Sequence, residues 1–254
     1  MIGNKKIIVI MPAYNAEKTL RKTVESIPKG IVDEIILTDD CSDDKTIVLA
    51  NSLGVKTFVH KDNLGYGANQ KTCYDEALKT NADIIVMLHP DYQYDPRVIP
   101  FAVGFIITDI CDIIIGSRIR TRREALDGGM PLYKYISNRF LTAFENFVLG
   151  QNLGDFHSGF RVYKREVLEK IDYSINSNDF IFDAEFLTEA AFLGYRIGDI
   201  PIPARYFPEA SSINFRRSLK YGILNIVVMI KYILEKNKIW HFKIFNVTTK
   251  RSQF

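Results

Sequence analysis

From the N-terminus to Arg118, short runs of Ile, Val and Leu alternate with longer stretches whose apolar positions recur at helical spacing. The runs Ile7 to Met11, Glu34 to Thr38, Val55 to His60, Ile84 to Leu88 and Asp112 to Gly116 are apolar at consecutive positions. Consecutive apolar positions predict strands buried on both faces, as in a parallel sheet. Between them the spacing predicts helices over Ala16 to Ile27, Asp44 to Leu53, Tyr66 to Lys79 and Pro96 to Thr108, so strand and helix alternate. The expected fold class is α/β, a doubly wound, mainly parallel sheet flanked by helices.

Ligands of such sheets sit at the carboxyl ends of the strands, where loops diverge. Here those loops are polar: Pro12-Ala-Tyr-Asn15, Asp39-Asp40-Cys-Ser-Asp43-Asp44, His60 to Gly67, His89-Pro-Asp91-Tyr-Gln93 and Gly116-Ser-Arg118. Beyond Arg118 come a Gly-rich basic loop, an amphipathic helix over Tyr133 to Leu149, the segment Asp155-Phe-His-Ser-Gly-Phe-Arg161 and a helix over Asp183 to Leu193. A strand over Arg196 to Pro203, a polar loop Arg205 to Arg217 and a helix over Ser218 to Leu234 follow. We divide the chain into a main domain, residues 1–217, and a C-terminal amphipathic helix with a basic tail, residues 218–254.

The sequence has 254 residues, enough for one large core with an appendage. Its 47% apolar and 25% charged content is that of a folded globular chain. A net charge of +3 leaves no basic stripe for nucleic acid, so any basic site is local. Cys41, Cys73 and Cys111 are odd in number and far apart, which suits a reducing cytosol and offers no zinc site. No signal-peptide cleavage pattern follows Met1, and the apolar stretch Tyr221 to Ile230 is shorter than the roughly 20 residues of a membrane span. Leu219, Ile223, Ile226, Val227, Ile230 and Leu234 recur at helical spacing, flanked by Lys220, Lys231, Lys236 and Lys238. Such a helix lies in the interface of an anionic membrane, or packs on its own domain or a second subunit. The expected location is the cytoplasm, with peripheral contact to the cytoplasmic membrane face in the first case.

Two adjacent carboxylates, Asp39 and Asp40, repel each other and need a reason: either a ligand, such as a base N–H or a ribose hydroxyl, or plain turn and capping chemistry by these residues with Ser42 and Asp44. Pro12-Ala-Tyr-Asn15 is either a βα turn with Asn15 as cap or a loop that sets Tyr14 against a nucleotide base. Arg118 follows the small pair Gly116-Ser117, from which a guanidinium reaches phosphate oxygens or makes a surface salt bridge. Asn63-Leu-Gly65-Tyr-Gly67 lacks the third glycine of a dinucleotide fingerprint and follows the third strand.

The ordered set Pro12-Ala-Tyr-Asn15, Asp39-Asp40-x-Ser42-x-Asp44, Asn63-x-Gly65, Asp91-x-Gln93 and Gly116-Ser-Arg118 resembles glycosyltransferase family 2, whose fold is called GT-A. Ser158-Gly-Phe-Arg161 and the second half of the chain resemble, within that family, the dolichyl- or polyprenyl-phosphate sugar synthases. The resemblance implies an inverting, metal-dependent, hexosyltransferase-like enzyme that takes a nucleoside-diphosphate sugar and passes the sugar to a lipid phosphate. By the same resemblance Pro12, Tyr14, Asn15, Asp39, Asp40, Gly65, Asp91 and Arg118 bind the donor. The family's Asp-x-Asp is here His89-Pro-Asp91, so Asp91 is the principal ligand of Mn²⁺ or Mg²⁺, with Gln93 as a further oxygen and His89 either a ligand or a hydrogen-bonding group.

On the acceptor side the resemblance points to Lys134, Arg139, His157, Ser158, Arg161, Arg205 and Ser212. A basic residue usually follows the serine in those relatives; here it is Ile213, so Arg205, Arg216 or Arg217 supplies the charge or the loop has another task. The catalytic residues are then Asp91, Arg118 and Asp183. An anionic lipid phosphate needs no base, whereas a saccharide or other hydroxyl acceptor would use Asp183 as one, unless that carboxylate merely complements a helix dipole. The altered triplet also keeps open a catalytically silent nucleotide-binding relative. A homo-oligomer is a further expected partner arrangement.

Overall fold

The computed structural model describes residues 4–119, 121–205 and 215–246. Among the described residues a seven-stranded sheet runs β3-β2-β1-β4-β6-β5-β7. Its strands are β1 Ile7–Ala13, β2 Glu34–Asp39, β3 Lys56–Val59, β4 Ile84–Met87, β5 Ile113–Ser117, β6 Arg161–Lys164 and β7 Ile197–Pro201. Pairing is parallel except on both sides of β6. The helices are α1 Leu20–Glu25, α2 Thr46–Ser52, α3 Tyr66–Leu78, α4 Ile99–Ile107, α5 Arg122–Asp127, α6 Leu132–Leu149, α7 Arg165–Lys170, α8 Phe182–Phe192 and α9 Phe215–Lys236.

Each central strand is apolar on both faces because each face meets a separate core. Ile8, Ile10, Ile36, Met87, Ile113 and Ile115 join Tyr74 of α3, Phe182 and Phe186 of α8, and Val228, Met229 and Tyr232 of α9. The intervening residues Ile7, Val9, Met11, Leu37, Val86 and Ile114 pack with Leu20 of α1 and with Ile99, Val103 and Ile106 of α4. The chain leaves β1 for β2 and β3 on one side, then returns to β4 on the other. That reversal opens a crevice at the carboxyl ends of β1 and β4.

The apolar pattern does not announce β6, which is only four residues long. Its register pairs Arg161 with both Met87 and Ile115. Because β6 runs antiparallel, its N-terminal end lies at the carboxyl edge of its neighbours, and the loop that enters it, 155–160, arrives at the crevice. A parallel strand would have sent that loop to the opposite edge.

Two expected helices begin later than the apolar pattern suggests. Asn15 adopts a left-handed φ of 51°, and the amides of Ala16 and Glu17 donate to Thr46 Oγ1 and Asp44 rather than starting a helix, so α1 begins at Leu20. Asp44 accepts from Thr46 N and thereby opens α2, while Asn15 Oδ1 accepts from Asp43 N and is not a helix cap. The region Pro96 to Val98 is a 3₁₀ turn before α4, and α5 and α7 were not anticipated.

Helix α3 enters the structure under the segment before α8. Gly67 N donates to the carbonyl of Asn178 at 2.8 Å, and a Cβ at Gly67 would overlap Ser177 O and lie 2.8 Å from Phe182 Cβ. Gly67→Ala is therefore expected to cost about 1–3 kcal/mol of stability by overpacking. Urea unfolding of the two proteins checks this, and an unchanged midpoint refutes the packing argument.

Candidate active site

The loops at the carboxyl edge enclose an open cleft of about 880 Å³, within the range of small-molecule sites. Pro12, Tyr14, Asn15, Asp40 and Gly65, after β1, β2 and β3, line one side of it. Asp40 is buried and accepts from the amides of Leu64 and Gly65, both at 2.9 Å, and lies 2.7 Å from His60 Nδ1. It thus shapes the Asn63–Gly65 loop that forms one wall. Gly65, at φ +98°, has Asn178 O where a Cβ would sit 2.7 Å away. Asp39 is a correction: it is fully buried, does not line the cleft, and accepts from Ser42 N and Ser42 Oγ. Ser42 Oγ in turn accepts from Asn15 N at 2.8 Å. The paired carboxylates are therefore separated by serving two different loops.

At the β4 end, His89, Asp91 and Gln93 all line the cleft. Asp91 Oδ1 accepts from Gln93 N, which closes the loop on itself. The His89 ring stacks on Tyr66, centroids 5.6 Å apart, with Nε2 3.3 Å from Tyr66 Oη. The Cδ2–Nε2 edge also abuts Gly159, where a Cβ would lie 2.6 Å from Nε2. Burial pushes the His89 pKa down against the pull of Asp91 and Asp183, so the ring is neutral. Its Nε2 edge is occupied by protein. Among the described residues no three His, Cys, Asp or Glu side chains form a metal cage. Mg²⁺ and Mn²⁺ bound with nucleotides do not require one, since one or two carboxylates, phosphate oxygens and water suffice. A cleft-wall carboxylate such as Asp91 fits the donor set that such a cation takes.

The centre of the cleft is a buried polar cluster. Asp183, at the start of α8, accepts from Tyr66 Oη at 2.8 Å, Gln70 Nε2 at 3.0 Å and Arg161 Nη1 at 2.7 Å. Arg161 is wholly buried and does not line the cleft, which corrects its reading as an acceptor contact. As the first residue of β6 it points into the core beneath α8, where its Nη1 pairs with Asp183 at 2.7 Å. Ser158 is likewise buried and absent from the cleft wall, with Oγ turned to Phe160 N.

Arg118 lines the cleft while its Nε and Nη2 donate to the two carboxylate oxygens of Asp155, at 2.7 and 3.2 Å. Burial would raise the Asp155 carboxyl, but the Arg118 guanidinium outweighs it and holds the group well below the usual carboxylate range. Lys134 also lines the cleft; partial burial and the nearby Arg118 charge lower its pKa. His157 reaches the wall with Nδ1 2.9 Å from Tyr221 Oη of α9 and Nε2 3.2 Å from a carboxylate oxygen of Glu145, an ion-pair distance without hydrogen-bond alignment. Burial pushes His157 down to about 4 and Glu145 well above the usual range.

Arg139 and Arg205 do not line the cleft. Arg139 donates to Gly154 O and braces the loop before β6. Arg205 lies over the Tyr92 ring, 4.7 Å from its centroid, donates to Asp95 and, through its amide, to Gln93 O, so it supports the Asp91 loop. Ser212 and Ile213 lie outside the described residues. Arg217, a candidate for the charge missing after Ser212, and Lys220, marked as a lysine flanking the apolar helix, both line the cleft. Tyr66, Asn138, Tyr133 and Tyr221 line it without having been singled out. Of these four only Tyr66, directly after Gly65, carried a sequence signal; the others sit on helices whose cleft-facing side depends on how α6 and α9 cross.

A family model for "Glycosyl transferase family 2" matches residues 8–172. The chain belongs to glycosyl transferase family 2. This family 2 chain is 26% identical over 247 residues to the UDP-N-acetylglucosamine–dolichyl-phosphate N-acetylglucosaminyltransferase of Methanococcus voltae, covering 91% of this chain and 98% of that protein. It is 26% identical to the polyprenol monophosphomannose synthase of Mycolicibacterium smegmatis, covering 78% and 77%. An uncharacterized protein of Methanocaldococcus jannaschii is 30% identical over 81% of this chain and 84% of its own length. Glucosyl-3-phosphoglycerate synthase of Mycobacterium tuberculosis, solved with Mn²⁺, UDP and glucosyl-3-phosphoglycerate, superposes with a TM-score of 0.68 at 20% identity over 90% of this chain and 80% of that one, so the fold is GT-A. The same enzyme has also been solved with Mg²⁺ and UDP.

The buried His157 adds an acid-sensitive contribution to the stability of this family 2 protein. Its folded pKa of about 4 lies below the unfolded value near 6.5, so the unfolded chain takes up the proton first and stability falls as pH drops through that window. The shift corresponds to about 3 kcal/mol. His157→Gln should flatten the decline of the melting temperature between pH 6.5 and 4; a variant whose acid limb parallels the wild type refutes the assignment.

Proposed function

We propose that this glycosyltransferase moves a sugar, with inversion, from a nucleoside-diphosphate sugar to a polyprenyl-phosphate-type lipid. The observation that carries the acceptor class is the state of Asp183. Its oxygens already accept three hydrogen bonds, one from a buried guanidinium, so taking a proton from an acceptor would have to disturb that arrangement. On the acceptor side the cleft wall carries cations instead: Arg118, Lys134, Arg217 and Lys220. An anionic phosphate nucleophile needs no base and is drawn to such a wall. The likeness to the dolichyl-phosphate and polyprenol-phosphate sugar transferases of Methanococcus and Mycolicibacterium supports the same reading.

In this reading Tyr14 and Asn15 meet the nucleoside beside the Asp40-braced loop, Asp91 holds a divalent cation, and Arg118 faces phosphate. When bound, the cation would neutralise the diphosphate leaving group. Lys134 and His157 line the path of the acceptor phosphate. Calorimetry with UDP and with GDP, with and without Mn²⁺, checks the cation: Asp91→Asn should abolish the metal-dependent gain in affinity, whereas His89→Ala should reduce it less. Equal metal dependence in Asp91→Asn and wild type removes Asp91 from that role.

We also infer a peripheral membrane contact on the cytoplasmic side, made by α6 and α9 together. The helices pack side by side, and Leu132, Ile136 and Phe140 of α6 and Leu219, Ile223 and Ile230 of α9 are exposed next to the cleft-lining Tyr133, Lys134, Lys220 and Tyr221. Among the described residues no helix is long and apolar enough to cross a membrane. Partial insertion of an apolar face ringed by lysines would set a lipid phosphate at the cleft mouth. The three cysteines are free thiols, in keeping with a reducing compartment.

The whole reading is tested by presenting polyprenyl phosphate in anionic vesicles with a panel of UDP-, GDP- and dTDP-sugars. Transfer should occur, and Asp183→Asn should retain it within about tenfold, because a lost general base typically costs 10²–10⁴-fold. Asn rather than Ala is used because its amide oxygen still accepts from Arg161 and Gln70, which Ala would leave without a partner at this position. Loss of transfer beyond a hundredfold in a folded Asp183→Asn, or transfer only to soluble hydroxyl compounds, assigns the chain to the hydroxyl-acceptor class.

A further inference from the structure

Asp155 is a fully buried carboxylate absent from the cleft wall, yet five hydrogen bonds converge on it. Its Oδ1 accepts from Arg118 Nη2 at 3.2 Å, from Asn138 Nδ2 of α6 at 2.8 Å and from His157 N at 3.0 Å. Its Oδ2 accepts from Arg118 Nε at 2.7 Å and from Arg118 N at 3.5 Å. A guanidinium held at two nitrogens by one carboxylate has its plane and its direction set. The carboxylate is in turn fixed from α6 and from its own loop, so Arg118 enters the cleft on a rigid mount rather than on a free side chain.

The same contact sets the charge that the cleft offers. A buried anion 2.7 Å from the guanidinium offsets much of its field at an incoming phosphate. We infer that Asp155 is a positioning residue that aims Arg118 and moderates its charge, so that a pyrophosphate-bearing ligand is oriented for transfer without being held too tightly to leave. The inference rests on the reading of Arg118 as a phosphate contact. A carboxylate present only to satisfy a buried arginine would give a different signature, because its loss would weaken binding and stability together.

Calorimetric titration with inorganic pyrophosphate, without added metal, distinguishes the cases. Arg118→Ala should bind it on the order of tenfold more weakly than wild type; unchanged affinity would sink the phosphate reading of Arg118 itself. Asp155→Asn, which keeps the shape and removes the charge, should bind pyrophosphate on the order of tenfold more tightly, and the gain should vanish in the Arg118→Ala background. Weaker or unchanged binding by a folded Asp155→Asn, with the Arg118→Ala loss intact, overturns the inference alone. Where Asp155→Asn fails to fold, Arg118→Lys carries the test, since it keeps the charge but loses the two-point contact. Its pyrophosphate affinity should stay within threefold of wild type while transfer to vesicle-borne polyprenyl phosphate falls more than tenfold. Equal transfer by Arg118→Lys and wild type overturns the aiming role.

Discussion

The cleft depends on one short antiparallel strand wedged between two parallel ones. β6 pairs with β4 and β5 at once, and its direction brings the 155–160 loop to the edge where the connections after β1 and β4 diverge. From that position Asp155 meets Arg118 at the end of β5, Gly159 lies against His89 beyond β4, and Arg161 reaches the start of α8. Three otherwise separate parts of the chain are tied to a single four-residue ladder. A slip of one residue in β6 would exchange Arg161 for Val162 between the two cores and undo all three contacts.

Around that ladder, the polar loops are held mainly by carboxylates that accept backbone amides. Asp33 and Asp83 anchor the entrance of β1, Asp39 and Asp44 fold the loop after β2, and Asp40 holds the wall at Gly65. Such bonds give irregular segments the partners that a helix or sheet would otherwise supply. They also restrict which acidic side chains remain for ligands. Asp40, Asp91, Asp179 and Asp183 line the cleft, while Asp39 and Asp155 work behind it.

Buried charge is managed in a second layer beneath the cleft. Arg161 and Asp183 pair inside the core, Arg118 and Asp155 pair at its edge, and Glu145 and His157 lie together between α6 and α9. Each contact joins elements distant in sequence. The cleft wall, the apolar outer faces of α6 and α9 and the helix bearing Asp183 are therefore mechanically linked through side chains that are buried or nearly so.

The sequence by itself determined the α/β class, six of the seven described strands, the polar edge and the residues that resemble family 2, because consecutive apolar positions and loop chemistry are local properties. It also marked Asp40, Asp91, Arg118 and Asp183, which do line the cleft. It did not distinguish Asp39 from Asp40 or Arg161 from Arg118, since both members of each pair are charged residues at a strand end. Direction of pairing and register separate them. Residues adjacent in the chain point to opposite faces of a strand end, and the antiparallel sense of β6 turns Arg161 inward while the parallel sense of β5 delivers Arg118 to the cleft. Those are properties of partners distant in sequence, and only the assembled sheet decides them.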